Sequence, residues 1–386
     1  MTTAYEPRED SYLLAHQVRK YARGNVLDLG TGTGIQAREA ANKKTVTHVA
    51  AIDLNPEAIA YAKKHSHVNH KIEFFTGDLF EPVKKCRIKQ FDTIIFNPPY
   101  LPADHGVKDV ALHGGKHGWE TLERALNAVN DYLAPNGRML IVFSSLTNKE
   151  KVDAIITKNL LMFKLLNTIN LFYEKLYVYL IQKSAVARAL DNKGVQHLTF
   201  LARGTRKLVY KARLGRKQVV VKVKRPDSTA NPIPREVKML KLLSAKKLSA
   251  RVLSQGKDYF ITEYVSGQFL KDWIKIATPQ EVKWLLQKVF DWCYQMDKLN
   301  ISKEEMHRPW KHVLINGKKI GMIDFERAHH TNDPKNVSQF VQFVMNYAKI
   351  LKGITVNRVK MIEKTKEYKK TFEKKEFAKI LKELNL

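Results

Sequence analysis

Asn25-Val-Leu-Asp28-Leu-Gly30-Thr-Gly32-Thr-Gly34 reads as an apolar strand running into a glycine turn, with the helical pattern Ile35 to Ala41 directly behind it. Glycines at 30, 32 and 34 let the backbone come close to a ligand at a helix N-terminus. The next strand, His48-Val-Ala-Ala-Ile-Asp53, ends in an acid 23 residues after Gly30. From that position a carboxylate takes the two hydroxyls of a ribose. A third strand, Lys71-Ile-Glu-Phe-Phe, leads into Gly77-Asp78-Leu79-Phe80. There Asp78 is placed to accept from an adenine amino group and Leu79 to pack on the ring. The loop lacks the helix-packing glycine spacing of Gly-x-Gly-x-x-Gly, and no basic residue stands where a pyrophosphate would need one. The pattern therefore predicts a Rossmann-like α/β domain for S-adenosylmethionine rather than NAD, with Asp28 and the Gly30 backbone facing the methionine portion.

A fourth strand, Phe91-Asp-Thr-Ile-Ile-Phe, ends on Asn97-Pro98-Pro99-Tyr100. Consecutive prolines stop the sheet ladder and hold the backbone extended. Asn97 is thus expected at the carboxyl end of a strand, facing the crevice where such sheets bind ligands. The chemistry this suits is methylation of a planar NH2 group. The Asn97 side-chain oxygen and the Pro98 carbonyl accept that group's two N–H donors, which turns the nitrogen lone pair towards a methyl donor, and Tyr100 packs on the planar face. Transfer then rests on positioning and desolvation, with no side-chain base required.

These residues carry a family resemblance. Residues 1–183 resemble class I S-adenosylmethionine-dependent methyltransferases, and specifically the HemK/PrmC group of release-factor glutamine methyltransferases. The opening Tyr5-Glu6-Pro7-Arg8-Glu9-Asp10-Ser11-Tyr-Leu-Leu is similar to the signature of that group's archaeal and eukaryotic branch, in which the residue at Ser11 lines the cofactor pocket. Gly114-Gly115-Lys-His-Gly118-Trp-Glu-Thr is similar to its Gly-Gly-x-x-Gly loop. The resemblance implies a seven-stranded sheet and N5-methylation of the glutamine in the Gly-Gly-Gln loop of a peptide chain release factor. A small activating subunit accompanies some members. Asn-Pro-Pro-Tyr also serves enzymes that methylate adenine N6 or guanine amino groups, so the motif leaves a nucleic-acid base open as the alternative acceptor.

The sheet is expected to close with Gly137-Arg-Met-Leu-Ile-Val-Phe, a helix from about Asn148, and two strands around Met162–Asn170 and Glu174–Gln182, the last antiparallel. Ser184 to Gly194 reads as a short helical linker. The chain of 386 residues is long enough for two cores. Its net charge of +29 is uneven: residues 1–184 hold 24 Lys and Arg against 19 Asp and Glu, and residues 185–386 hold 43 against 19. A field of that sign favours RNA, the ribosome or another polyanion as partner of the C-terminal half. Cys86 and Cys293 lie too far apart to suggest a disulfide framework. The first ten residues contain no apolar leader core, and Leu160 to Ile181 is interrupted by Lys164, Glu174 and Lys175. The expectation is a reduced, cytoplasmic protein with no membrane span.

In the second half, Phe200-Leu-Ala-Arg-Gly204-Thr-Arg-Lys-Leu-Val-Tyr-Lys-Ala reads as two strands turning at Gly204, followed by Lys217-Gln-Val-Val-Val-Lys222. Lys222 is placed to pair nucleotide phosphates and Glu236, on the following helix, to pair Lys222. Tyr259-Phe-Ile-Thr-Glu263 enters a hinge whose backbone holds adenine, and Met-Ile-Asp324-Phe325 places an acid where a kinase binds Mg²⁺. Residues 195–345, within a domain read over 195–350, thus resemble RIO-type atypical kinases and an archaeal group of Ser/Thr kinases, an α+β two-lobed fold using ATP and Mg²⁺. The usual catalytic Asp falls at His307 and the metal-binding Asn at His312. An imidazole at position 307 suits the role of a base, and Glu305 stands two residues away. A competent kinase and a nucleotide-binding pseudokinase both remain open on these residues. Residues 351–386 read as a basic helical tail that packs on the kinase lobe or on RNA.

Overall fold

The computed structural model describes residues 5–66, 70–103 and 112–386; Met1 to Ala4, part of the stretch read for a leader, lie outside them. The chain divides into two compact units, Met1–Leu201 with Tyr210–Lys217 and Ala202–Val209 with Gln218–Leu386. In chain order the first elements are α1 (Glu9–Tyr21), β1 (Gly24–Leu29), α2 (Ile35–Ala41), β2 (Val46–Asp53), α3 (Pro56–His65), β3 (Ile72–Thr76) and β4 (Phe91–Phe96). There follow α4 (Glu120–Ala128), β5 (Leu133–Ser144), α5 (Lys149–Lys158), β6 (Leu161–Asn170), β7 (Lys175–Lys183) and α6 (Ala185–Asp191).

The seven strands form one sheet in the order β3-β2-β1-β4-β5-β7-β6. β1, β2, β3, β4 and β5 pair in parallel, while β7 runs antiparallel between β5 and β6. This is the sheet of a class I methyltransferase. Helices cover both faces, so β1, β4 and β5 are buried apolar runs, as sheets covered on both sides require. Register positions the site. Leu29 pairs with Ile52 on β2 and with Phe96 on β4, so Gly30, Asp53 and Asn97, one residue further on, leave the sheet side by side. Asn55 caps α3 through its side chain with Pro56 at the first helical position, which ends β2 sharply at Asp53.

The stretch read as a linker is the short helix α6, capped by Ser184 and packed into the first unit through Leu190, which is fully buried. The buried Lys183 ammonium pairs with Asp191 at 2.6 Å and donates to the Asn130 carbonyl. These contacts make the segment part of a core rather than a spacer.

The remaining elements are β8 (Val195–Arg203), β9 (Lys207–Leu214), β10 (Lys217–Lys224), α7 (Ile233–Ala245), β11 (Val252–Gln255), β12 (Tyr259–Glu263), β13 (Gln268–Phe269), α8 (Leu270–Ile276) and α9 (Pro279–Lys298). They continue through β14 (Ile301–Ser302), β15 (Val313–Asn316), β16 (Lys319–Met322), β17 (His329–His330), α10 (Asn336–Tyr347), α11 (Arg358–Thr371) and α12 (Lys374–Glu383). Strands β11-β12-β10-β9-β8 form a five-stranded sheet with α7 inserted in sequence between β10 and β11, and a mainly helical lobe follows. That is the α+β layout of a protein kinase. α9 starts on a capping box, Thr278 with Glu281, and buries Val282, Leu286, Val289 and Phe290. The basic tail folds as α11 and α12 on this lobe: Met361, Tyr368, Phe377 and Ile380 join its core, and the Tyr368 hydroxyl donates to Asp297 at 2.9 Å. Among the described residues no helix is long and apolar enough to cross a membrane.

Candidate functional site

Asn97 sits beyond β4, where Asp10 governs it. Its side-chain NH2 donates to Asp10 Oδ2 at 3.0 Å and lies 3.4 Å from Ser11 Oγ. Asp10 Oδ2 accepts here, so the Asn97 atom that faces it is the nitrogen. The Asn97 oxygen therefore points the other way, and Oδ1 is buried with no partner. A buried, unpaired acceptor is costly unless something else pairs with it. Asp10 is itself almost fully buried and gathers the N-terminal motif: Oδ1 accepts from the Ser11 N–H at 2.6 Å, the Ser11 hydroxyl and Tyr5. Oδ2 also takes the Tyr100 hydroxyl at 3.4 Å. Burial, reinforced by the Asp10 charge, pushes the Tyr100 and Tyr5 phenols well above their usual range, so both stay neutral donors.

The glycine loop after Asn-Pro-Pro-Tyr is a backbone clamp on it. A Cβ on Gly114 would lie 2.4 Å from the Pro99 carbonyl oxygen, and one on Gly118, at φ 86°, would lie 2.4 Å from that of Tyr100. Only glycine permits that approach. Gly114 N–H donates to Leu101 O, and the Thr147 hydroxyl holds the Tyr100 carbonyl.

Ser11, Gly30, Gly32, Asp53, Asp78, Leu79, Asn97, Pro98 and Tyr100 all line one cavity of about 610 Å³. At Gly32, φ 53°, no atom lies within 4 Å of where a Cβ would stand, so open space continues over the turn. Asp53 fixes this turn by accepting from Gly32 N–H at 2.8 Å, while its other oxygen accepts from Asn55 N–H at 2.9 Å. One expectation needs correction. Asp28 does not face the cavity: it lies buried beneath the turn, where its Oδ2 accepts from the Thr31 hydroxyl at 2.6 Å. Burial raises its carboxyl to about 7, with the Thr31 bond acting against that rise. Asp78 keeps its place on the cavity wall and forms an ion pair through Oδ2 with Arg124 of α4.

Asp10, Gln36 and Glu174 are the site residues that sequence reasoning missed. Gln36 is buried on the cavity wall, its NH2 donating to Ser11 O at 2.8 Å and its Oε1 unpartnered. Glu174 reaches the cavity from the β6–β7 turn, and its Oε2 is buried without a partner. Only Asp10 had a visible signal, its place inside the N-terminal motif.

The second unit assembles a separate charged cluster. Lys222 on β10 donates to Glu236 Oε1 at 2.7 Å, and Glu236 on α7 is fully buried. Its other oxygen pairs with Lys207, which also reaches Glu326 at 2.9 Å. Burial alone would raise the Glu236 pKa, but Lys222 and Lys207 outweigh it and hold it below the usual range. Asp324 sits in the left-handed region at φ 63°, a strained backbone of the kind found at functional positions. One ligand atom each from Asp324, His312 and Glu305 lie within 4.8 Å of one another. Lys303, fully buried, donates to Asp324 O at 2.8 Å, and burial drops its pKa to about 8. Burial and then the Lys303 charge push His312 down to about 4, which keeps the imidazole neutral.

Glu305 joins the expected pair Asp324 and His312 in this cluster, which among the described residues does not include His307; Glu304 and Glu305 both take positive φ. At the end of β12, the Glu263 N–H donates to Arg251 O at 3.1 Å and its carboxylate pairs with the Arg251 side chain. Gly204 closes its turn by donating to Lys207 O, and Arg225 donates to the Gly204 and Thr205 carbonyls.

Residues 9–173 match the family model of the methyltransferase small domain. A Methanocaldococcus jannaschii protein that carries the name protein N5-glutamine methyltransferase is 39% identical over 153 residues, 38% of this chain and 75% of its own length. A release factor glutamine methyltransferase of Koribacter versatilis is 32% identical over 150 residues, 35% of this chain and 53% of its own length. The chain thus spans three quarters of the archaeal relative and about half of the bacterial one. A structure of the bifunctional kinase-methyltransferase WbdD aligns with 97% of this chain and 86% of its own at 17% identity and a TM-score of 0.46. Strand ends, glycine turn and Asn-Pro-Pro-Tyr all fall within residues 9–173, which match the methyltransferase small domain, and by its likeness to the archaeal relative the chain belongs to the S-adenosylmethionine-dependent protein N5-glutamine methyltransferases.

Proposed function

We propose that the first unit methylates the side-chain amide of a glutamine in the Gly-Gly-Gln loop of a peptide chain release factor. The observation that carries this reading is the buried, unpartnered Asn97 Oδ1, aimed by Asp10. S-adenosylmethionine supplies an electrophilic methyl group. Gly32 on the glycine turn and Asp53 at the end of β2, with Ser11 and Leu79, would hold it. Asn97 Oδ1 would accept one amide N–H and the Pro98 carbonyl the other, so the amide nitrogen is oriented without a side-chain base. Tyr100, kept neutral, packs beside it.

Charge around the cavity favours a protein acceptor over nucleic acid. Glu9, Asp10, Asp53, Asp78 and Glu174 line it against Arg8 and Arg124, and Arg124 is already paired with Asp78. An acidic mouth repels a phosphodiester and tolerates a peptide loop. The test is transfer of labelled methyl from S-adenosylmethionine to purified release factor, tRNA, rRNA and DNA, with and without a small activating subunit. Labelling of release factor at its glutamine is the expected result, and labelling of nucleic acid alone would refute it.

The second unit is proposed to bind ATP with a divalent cation. Lys222, paired with Glu236, would meet the phosphates, and Asp324, His312 and Glu305 offer the donor set a cation takes. Calorimetry of ATP with Mg²⁺ on wild type and Lys222→Ala tests it. Unchanged binding in the variant would refute the assignment, and γ-phosphate turnover by wild type separates a kinase from a nucleotide-binding module.

A further inference from the structure

The turn joining β6 to β7 is Leu171-Phe172-Tyr173-Glu174, closed by Leu171 N–H on Glu174 O at 2.8 Å. Two-residue hairpin turns ordinarily use Gly, Asn or Asp at positive φ. Here the central pair is Phe172 and Tyr173, neither of which has positive φ. They are also the most exposed large apolar side chains among the described residues, at 89% and 86%, with rings edge to face at 4.6 Å. Neither turn formation nor core packing accounts for two aromatics there. The residues on either side are less exposed: Leu171, Glu174 and Leu176 line the same cavity as Asn97, and Glu174 Oε2 is buried there without a partner.

We infer that this turn is the docking point for the acceptor polypeptide, with Phe172 and Tyr173 gripping the protein surface beside the target glutamine and Glu174 accepting a main-chain N–H of the loop that carries it. The inference rests on the acceptor reading above. The chemistry selects a peptide. A carboxylate lacking a hydrogen-bond donor suits the main-chain N–H of a glycine, which no side chain shields, and the same charge repels a phosphate backbone. Exposed, low-entropy aromatic rings next to a cleft are the side chains that most often anchor protein–protein contacts. Glutamine inserted to Asn97 leaves its flanking main chain at the cavity mouth, where the turn stands.

The test compares wild type, Phe172→Ser/Tyr173→Ser and Glu174→Gln in steady-state methylation of intact release factor, with S-adenosylmethionine binding by calorimetry and thermal melting as fold checks. Both aromatics are exposed and Glu174 Oε2 has no partner to lose, so melting temperatures should hold. The expected result is a KM for release factor raised tenfold or more in the double variant and at least threefold in Glu174→Gln, with kcat within twofold. Release factor methylated by wild type with an unchanged KM in both variants overturns the docking inference and leaves the acceptor reading standing. No methylation of release factor by wild type overturns both.

Discussion

Replacing Asp10 by alanine tests the orientation of Asn97 without touching Asn97 itself. In the native site one carboxylate accepts from Asn97, Tyr100, Tyr5 and Ser11, and only the first of these sets which Asn97 atom meets the substrate. A hydrogen bond to a charged partner is worth about 1.5–3 kcal/mol. If that sum is what holds Oδ1 towards the acceptor, its loss lowers kcat by roughly 10- to 150-fold. Asp10→Asn should fall between, since its amide oxygen still accepts from Asn97 but without the charge. Stability is a separate effect: alanine leaves buried donors unpaired at about 1–3 kcal/mol each, so melting curves must show the variant folded at the assay temperature. The assay is single-turnover transfer of labelled methyl to release factor. An Asp10→Ala enzyme within twofold of wild type would refute the claim that Asp10 aims the amide.

Three further outcomes follow from the buried charges. Asp28 holds its proton to about pH 7 in the folded state, whereas the unfolded chain loses it near pH 3.9. Its contribution is thus fully present below about pH 4 and is lost as pH rises through 7; Asp28→Asn removes that slope, so denaturant unfolding should favour the variant over wild type more at pH 8 than at pH 5, and equal differences would contradict this. Glu236→Gln leaves Lys222 and Lys207 in a buried site without their shared counter-charge, a loss of about 3–5 kcal/mol, which thermal unfolding of the second unit should register together with weaker ATP binding. Tyr368→Phe removes the buried bond to Asp297 and should cost about 1–3 kcal/mol in the same transition; an unchanged melting temperature would show that the tail is not structural.

Much of the first unit was legible because its motifs fall at strand ends. β1 stops at a glycine, β2 at an acid and β4 at two prolines, and parallel register then brings Gly30, Asp53 and Asn97 level. What periodicity could not show was the reach of α1. Asp10 precedes Asn97 by 87 residues in the chain, and nothing in local pattern says that a helical acid will receive its amide. Asp28 was misplaced for a related reason: an acid at a strand end reads as ligand-facing, whereas the Thr31 hydroxyl draws it under the turn. In the second unit the Lys222–Glu236 pair could be read from strand and helix order. Glu305's place beside Asp324 and His312 could not, because counting from the metal-binding position assumes the usual spacing and does not show which side chains converge. The tail's fate depended on partners such as Asp297 that lie far away in sequence.

The most direct measurement is labelled-methyl transfer to release factor by wild type and Asn97→Ala at saturating S-adenosylmethionine, with cofactor binding measured on both. The account predicts that the variant binds cofactor as wild type does and transfers at least a hundredfold more slowly. Undiminished transfer by a folded Asn97→Ala protein would contradict it.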